Sequence, residues 1–146
     1  MRSINEIQEE IINDLTEIGD TFDQYSYLTE LAGILEGLTN EEKTDDILVK
    51  GCQSRVWLLL SANEGKFYMR SDSDTLIIKG ILALLEEIFN GQPLCGVANA
   101  EITFLKQSSL METFEESRQK GIGYILRQSR DFARMEASKN GGDMNI

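Results

Sequence analysis

Val56-Trp57-Leu58-Leu59-Leu60-Ser61-Ala62-Asn63-Glu64-Gly65-Lys66-Phe67-Tyr68-Met69-Arg70 decides the fold class. Its opening run is short, apolar, β-branched and aromatic, which suits a strand covered on both faces. Asn63-Glu64-Gly65 supplies a turn. Phe67 and Met69 then alternate with Lys66, Tyr68 and Arg70, the period of a half-buried strand. The stretch therefore predicts an antiparallel hairpin, with Trp57 filling core volume.

The flanks read mostly as helix. Downstream, Ser71-Asp72-Ser73-Asp74 offers several N-caps for a helix from Leu76 to Phe89, apolar nearly all round and so the central core helix. Gly91 ends it and Pro93 discourages continuation. Ile102-Thr103-Phe104-Leu105 fits a third strand or a helix start, and its period does not choose. A last helix is expected from about Arg118 to about Ala137, with Ile122, Ile125, Leu126, Phe132 and Ala133 inward. Upstream, Ser3-Ile4-Asn5-Glu6 has the capping-box pattern, and Ile4, Ile7, Ile11, Ile12, Leu15 and Ile18 recur at helical spacing. Gly19 stops this helix and Asp20 caps the next. That second helix is expected to bury Phe22, Tyr25, Leu28, Leu31, Leu35 and Leu38 and to end near Gly37. Thr39 to Asp46 reads as a polar, acidic surface loop.

The expected architecture is thus α+β, a small antiparallel sheet of about three strands packed against several helices. At 146 residues the chain is expected to form one domain over 1–138, with 139–146 a frayed tail. It shows no membrane-span pattern and no signal-peptide pattern, which predicts a cytoplasmic protein. The first 46 residues carry thirteen carboxylates against two cations, and the remaining hundred carry twelve of each. A chain so acidic lacks the basic footprint of a nucleic-acid binder.

Candidate chemistry concentrates just before the hairpin, in Lys50-Gly51-Cys52-Gln53-Ser54-Arg55. The sequence has no histidine, which removes Cys–His and Ser–His pairs and the usual proton shuttle. Cys52 and Cys95 are the only cysteines, with no CxxC spacing, which argues against a structural zinc site and, in a reducing compartment, against a disulfide. Gly51 gives the loop backbone freedom. Lys50 and Arg55 could favour the thiolate, and Gln53 and Ser54 offer hydrogen bonds to it. Two readings remain open on these residues: a thiol that accepts an electrophilic sulfur and hands it on, or a buried, inert cysteine at the start of a strand.

Lys50-Gly51-Cys52-Gln53-Ser54-Arg55-Val56-Trp57-Leu58 resembles the G-C-Q-S-x-V-W signature of the SufE family, sulfur acceptors of iron–sulfur cluster assembly. Asp72-Ser73-Asp74, followed by Ile77-Ile78-Lys79-Gly80-Ile81, is similar to that family's D-S-D-x-x-I-V-K-G run. Ser117-Arg118-Gln119-Lys120-Gly121-Ile122 resembles its S-R-x-x-G-L close, although Glu115-Glu116 stands where the family usually has a proline. Order and spacing agree from about residue 10 to 137. The resemblance implies a SufE/NifU-like α+β fold in which the cysteine loop rests over an apolar hollow. It implies that Cys52 takes persulfide sulfur from a pyridoxal-phosphate cysteine desulfurase (SufS-like), stimulates that enzyme, and delivers the sulfur to a SufBCD-like scaffold. No cofactor of its own, nucleic acid or membrane enters that scheme.

Around Cys52, Gly51, Gln53, Ser54 and Asp74 would support the loop, and Lys50, Arg55 and Arg118 would meet a partner. Asp74 reads equally well as a helix cap, and Arg118 as a helix-start ion pair. Cys95 matches no motif and reads as a small apolar side chain. The competing function is a regulatory protein that binds a desulfurase without carrying sulfur, with Cys52 structural. A thiol peroxidase or reductase would lack a nearby resolving cysteine, and a cluster scaffold would need more thiolates.

Overall fold

The hairpin forms as an antiparallel pair, β1 (Val56–Asn63) and β2 (Lys66–Ser73), with Val56 opposite Ser73 and Asn63 opposite Lys66. Glu64 and Gly65 make the turn with φ of 53° and 76°, a mirror-image turn whose twist matches that of the strands. The computed structural model describes residues 1–108 and 110–139. Of the tail expected at 139–146, only Lys139 is among the described residues, where it ends a helix.

Among the described residues, six helices surround the hairpin: α1 (Ile4–Ile18), α2 (Thr21–Ile34), α3 (Leu76–Phe89), α4 (Leu94–Ala98), α5 (Phe104–Gln107) and α6 (Glu116–Lys139). The capping box of Ser3 and Glu6 is formed, and the Asp20 carboxylate accepts from the first amides of α2. α3 is the centre of the packing, in contact with α1, α2 and β2, while α6 packs against α4 and β1. Ile81, Leu82, Leu85, Ile88 and Phe89 of α3 are fully buried. The T-shaped contacts of Phe67 with Phe89 and Phe132 tie the sheet to α3 and α6.

The α2–α3 contact depends on Gly80. A Cβ there would lie 2.2 Å from the Leu28 carbonyl oxygen, so the two backbones touch where only glycine fits. This contact also explains why Phe22 is 77% exposed instead of inward. The buried stripe of α2 is Gln24, Leu28 and Ala32, four residues apart, and Phe22 lies off that line. Gln24 is tolerated inside because its amide donates to the Leu15 carbonyl at 2.8 Å. α2 also ends at Ile34, short of Gly37, because the chain turns there to bring the Leu38 amide to Asp72 Oδ2 at 3.0 Å.

Among the described residues the sheet has two strands, not about three. The candidate third strand at Ile102–Leu105 leads into α5 instead. The buried Gln8 side chain accepts from the Thr103 and Phe104 amides and donates to the Glu101 carbonyl. Those groups are capped as a helix start and are not free for a ladder. Among the described residues, what remains of further strand pairing is two isolated bridges, Leu48 to Trp57 beside β1 and Lys66 to Pro93 beside β2.

Asp72 is the most densely bonded side chain of the corner after β2. It accepts from the Leu38 and Ser73 amides and pairs with Lys43 (3.2 Å) and Lys79 (3.6 Å). Burial opposes its ionisation, but these partners outweigh burial and hold the carboxyl below its ordinary value. Its stabilising contribution is therefore present above the ordinary carboxylate pKa and is lost as pH falls through the lowered one. Lys43, the one cation of the acidic loop, also sits 5.1 Å from the centre of the Trp57 ring.

The helix contact is directly testable. Gly80→Ala should cost about 2–4 kcal/mol, since neither helix backbone can yield cheaply. Gly33→Ala, where an added Cβ meets nothing within 4 Å, should instead gain roughly 0.5–1 kcal/mol. Urea midpoints at constant slope measure both; equal midpoints would show that the α2–α3 approach is not tight.

Candidate functional site

Residues 50–55 form a loop whose base is closed by the hydrogen bond from Val49 N to Val56 O, 2.8 Å. Gly51 has φ of +92°, and a Cβ there would come within 2.7 Å of the Tyr124 ring. Glycine thus serves twice, for the turn and for the close passage of α6. The turn lays Cys52 against that helix. Its thiol donates to the Gly121 carbonyl at 3.5 Å, and a Cβ on Gly121 would stand 3.3 Å from the sulfur.

The far end of the loop is clasped by the residues following β2. Arg55 N donates to Asp74 Oδ1 (3.1 Å), Asp74 N to the Arg55 carbonyl (3.2 Å), and Ser73 Oγ to the same carbonyl (2.8 Å). The hydroxyls of Ser54 and Thr75 meet at 2.7 Å. Asp74 is consequently not the cap of α3. Thr75 holds that position and makes no side-chain capping bond.

Cys52 opens on a cavity of about 50 Å³, several times the ~10–15 Å³ that one water needs. Gln53 and Ser54 line it from the loop, Ile78 from α3, and Arg118, Gly121 and Ile125 from α6. The structure thus brings Cys52, Gln53, Ser54 and Arg118 to one cavity, with Gly51 and Asp74 shaping the loop. Lys50 and Arg55 are exposed outside its lining. Among the described residues none of Lys50, Arg55 and Arg118 is in an ion pair; the Arg118 guanidinium lies 5.6 Å from the centre of the Phe114 ring. Cys95, half-buried in α4, is not part of this lining.

The electrostatics correct the expectation that neighbouring cations favour the thiolate. Burial is the cause that acts on Cys52, and it pushes the thiol above its ordinary value. At rest the sulfur is a protonated, half-buried donor. Two contributors were not singled out from the sequence, Gly121 and Tyr124. The S-R-x-x-G spacing carried a signal for the first, since Arg118 and Gly121 are three apart and share a helix face. Tyr124 carried none, because its partner Gly51 is distant in sequence. Among the described residues no cluster of histidine, cysteine or carboxylate side chains is arranged to hold a metal, and no helix is long and apolar enough to cross a membrane.

A family model described as SufE, Fe-S metabolism associated domain, matches residues 9–133. This chain belongs to the SufE family. Membership ties it to iron–sulfur metabolism and implies a cysteine desulfurase as its partner. An uncharacterised SufE-like protein of Rhizobium etli is 27% identical over 135 residues, covering 89% of this chain and 91% of the relative. The solution structure of a hypothetical protein from Thermus thermophilus superposes with a TM-score of 0.74 at 16% identity, covering 90% of this chain and 96% of that one. That likeness supports the α+β fold alone. For this SufE-family chain, the three motif segments converge in space: the cysteine loop lies between the corner after β2 and the first turns of α6.

Two measurements probe the loop. Alkylation of the free protein should have its pH midpoint above that of an unhindered thiol, because burial favours the protonated form. A midpoint below the ordinary value would mean that nearby cations, not burial, dominate. Asp74→Ala should speed alkylation about three- to tenfold while costing only about 0.5–1.5 kcal/mol, the worth of an ordinary hydrogen bond. Asp74→Asn, which keeps an acceptor but removes the charge, should alkylate like wild type. If Asn and Ala behave alike, charge and not the clasp governs the thiol.

Proposed function

We propose that Cys52 is a sulfur acceptor that takes the terminal sulfur of a cysteine-desulfurase persulfide and passes it to an iron–sulfur scaffold. The reading rests on one arrangement above the rest: in a chain of this family without histidine, Cys52 is the thiol at a glycine-turned loop tip, beside a small cavity edged by Arg118. In the transfer, the Cys52 thiolate attacks the outer sulfur of the partner's persulfide. A new sulfur–sulfur bond forms on Cys52, the old one breaks, and the partner cysteine leaves as a thiolate. The proton lost by Cys52 replaces the one the leaving thiolate needs, so the exchange involves no net oxidation.

A buried, protonated thiol is a poor nucleophile. Docking therefore has to lift the loop from α6, and stimulation of the desulfurase follows from removal of its persulfide. Gly51, Gln53 and Ser54 shape the loop, Asp74 clasps its end, and Lys50, Arg55 and Arg118 supply cations toward a partner. The cavity has room for an added sulfur atom, which shields a persulfide from solvent when the loop returns. The proposed partners are a SufS-like desulfurase and a SufBCD-like scaffold, in a reducing cytoplasm.

Cys52→Ser tests the reading, because serine keeps the shape but forms no persulfide. The variant should fold and bind the desulfurase, yet gain no labelled sulfur and lose most of the stimulation. Cys95→Ser should accept sulfur as wild type does. Full stimulation by Cys52→Ser would sink the carrier reading in favour of a purely regulatory protein, and loss of acceptance in Cys95→Ser would require a relay between two thiols.

A further inference from the structure

The two edges of the hairpin are finished differently. On the β2 side, Phe67 N donates to the Gln92 carbonyl, Gly91 N donates to the Phe67 carbonyl, and the Asn90 amide bonds both backbone groups of Met69. Phe67 and Met69 therefore turn their backbone groups away from β1. Their partners across the ladder, Ala62 and Leu60, must turn theirs away from β2, and Leu58 shares that parity. On the β1 side, among the described residues, backbone pairing reaches only the start of the strand, through the Val49–Val56 hydrogen bond and the Leu48–Trp57 bridge. Among the described residues, no backbone group pairs with Leu58, Leu60 or Ala62 from that side.

Beside this open edge lies a groove of about 470 Å³. Leu58 and Leu60 line it from β1, and Phe132 and Met135 from α6, with Met135 53% exposed. Asp46 and Asp131 also line it, and no cation does, although Asp131 pairs with Arg134 at 3.4 Å. The groove shares Asp46, Gln128 and Asp131 with a second one that runs on to Lys50 and Tyr124. Tyr124 is the residue whose ring covers Gly51, beside Cys52. Open edge, apolar groove and cysteine loop thus form one continuous surface.

We propose that the β1 edge at Leu58–Ala62 docks an extended, apolar, cation-bearing segment of the cysteine desulfurase, added to the hairpin as a further strand. The inference rests on the reading of Cys52 as a sulfur acceptor from that enzyme. An unpaired strand edge selects an extended occupant, through main-chain hydrogen bonds, and the groove selects its side chains. The carboxylates select cations on it. They also disfavour a second copy of this chain, whose net charge is −11. Continuity with the Cys52 loop favours the protein that must reach that thiol.

Hydrogen–deuterium exchange of the full chain, alone and with the pyridoxal-phosphate cysteine desulfurase of the same organism, tests the proposal. Exchange at Leu58, Leu60 and Ala62 should slow about tenfold or more in the complex, as new strand pairing requires. Met135→Lys adds a cation to an exposed position, and Ala62→Pro removes an outward N–H; each should weaken desulfurase binding about tenfold while leaving Cys52 alkylation of the free protein unchanged. Edge protection in the complex without labelled sulfur on Cys52 would support the docking surface and sink the carrier reading. Unchanged edge exchange in a complex that does transfer sulfur would overturn the docking surface and leave the carrier reading standing. Protection in the isolated chain that vanishes on deletion of 140–146 would overturn it in favour of the chain's own tail. A dimer by light scattering that Met135→Lys dissociates would overturn it in favour of a second copy, and failure to form any complex would overturn it outright.

Discussion

A buried carboxylate at the end of β2 sets the geometry on which the rest of the molecule depends. Asp72 is ionised inside the protein only because the Leu38 and Ser73 amides and the ammonium groups of Lys43 and Lys79 surround it. Beyond β2 itself, these partners come from the exit of α2, the acidic loop, and the first turns of α3. Removing one partner of such a buried charge typically costs about 3–5 kcal/mol, so the four segments are held in register by one group. The next two residues extend the corner outward, where Ser73 and Asp74 grip Arg55 from both of its backbone groups. Core and cysteine loop are thereby fastened at adjacent positions of one strand end.

The thiol beyond that clasp is governed by exposure more than by charge. Two cations flank it in sequence, yet neither lines its cavity, and burial raises its pKa instead. Its hydrogen bond to the Gly121 carbonyl further favours the protonated sulfur, since a thiolate has no proton to donate there. Glycine at 121 lets the sulfur come this close to the helix, and glycine at 51 lets the loop pass under Tyr124. In such an arrangement a displacement of the loop away from α6 would remove the desolvation and the donor bond together.

Close approaches of this kind also show how an architecture can persist at low identity, as it does in the Thermus thermophilus protein at 16%. In this chain the positions that fix the geometry are few, and several are glycines whose role is to have no side chain: Gly37 against Asp72, Gly80 against Leu28, Gly121 against Cys52. Elsewhere the core asks for apolar volume at the right period, which many sequences satisfy.

The local periods were legible from residue order: the two-residue alternation of Phe67 and Met69, the Asn63–Gly65 turn, the capping box at Ser3, and the apolar helix from Leu76 to Phe89. So was the segment that bears the candidate thiol, because its residue types and spacing are distinctive without any fold. What periodicity could not supply was which face of α2 is inward, since that depends on the glycine of another helix; Phe22 is exposed for that reason. Nor could it choose between strand and helix at Ile102–Leu105, where the side chain of Gln8, nearly a hundred residues earlier, takes the amides. Residue order leaves Asp74 between helix cap and loop support, and only the folded corner after β2 gives it the backbone of Arg55. The pKa of Cys52 follows the helix packed on it and not its sequence neighbours, for the same reason. Turns, caps and periods are short-range and are written in adjacent residues. Burial, close backbone approach and the partner of a buried polar group are set by segments that meet only when the chain has folded, and the tertiary structure alone decided those.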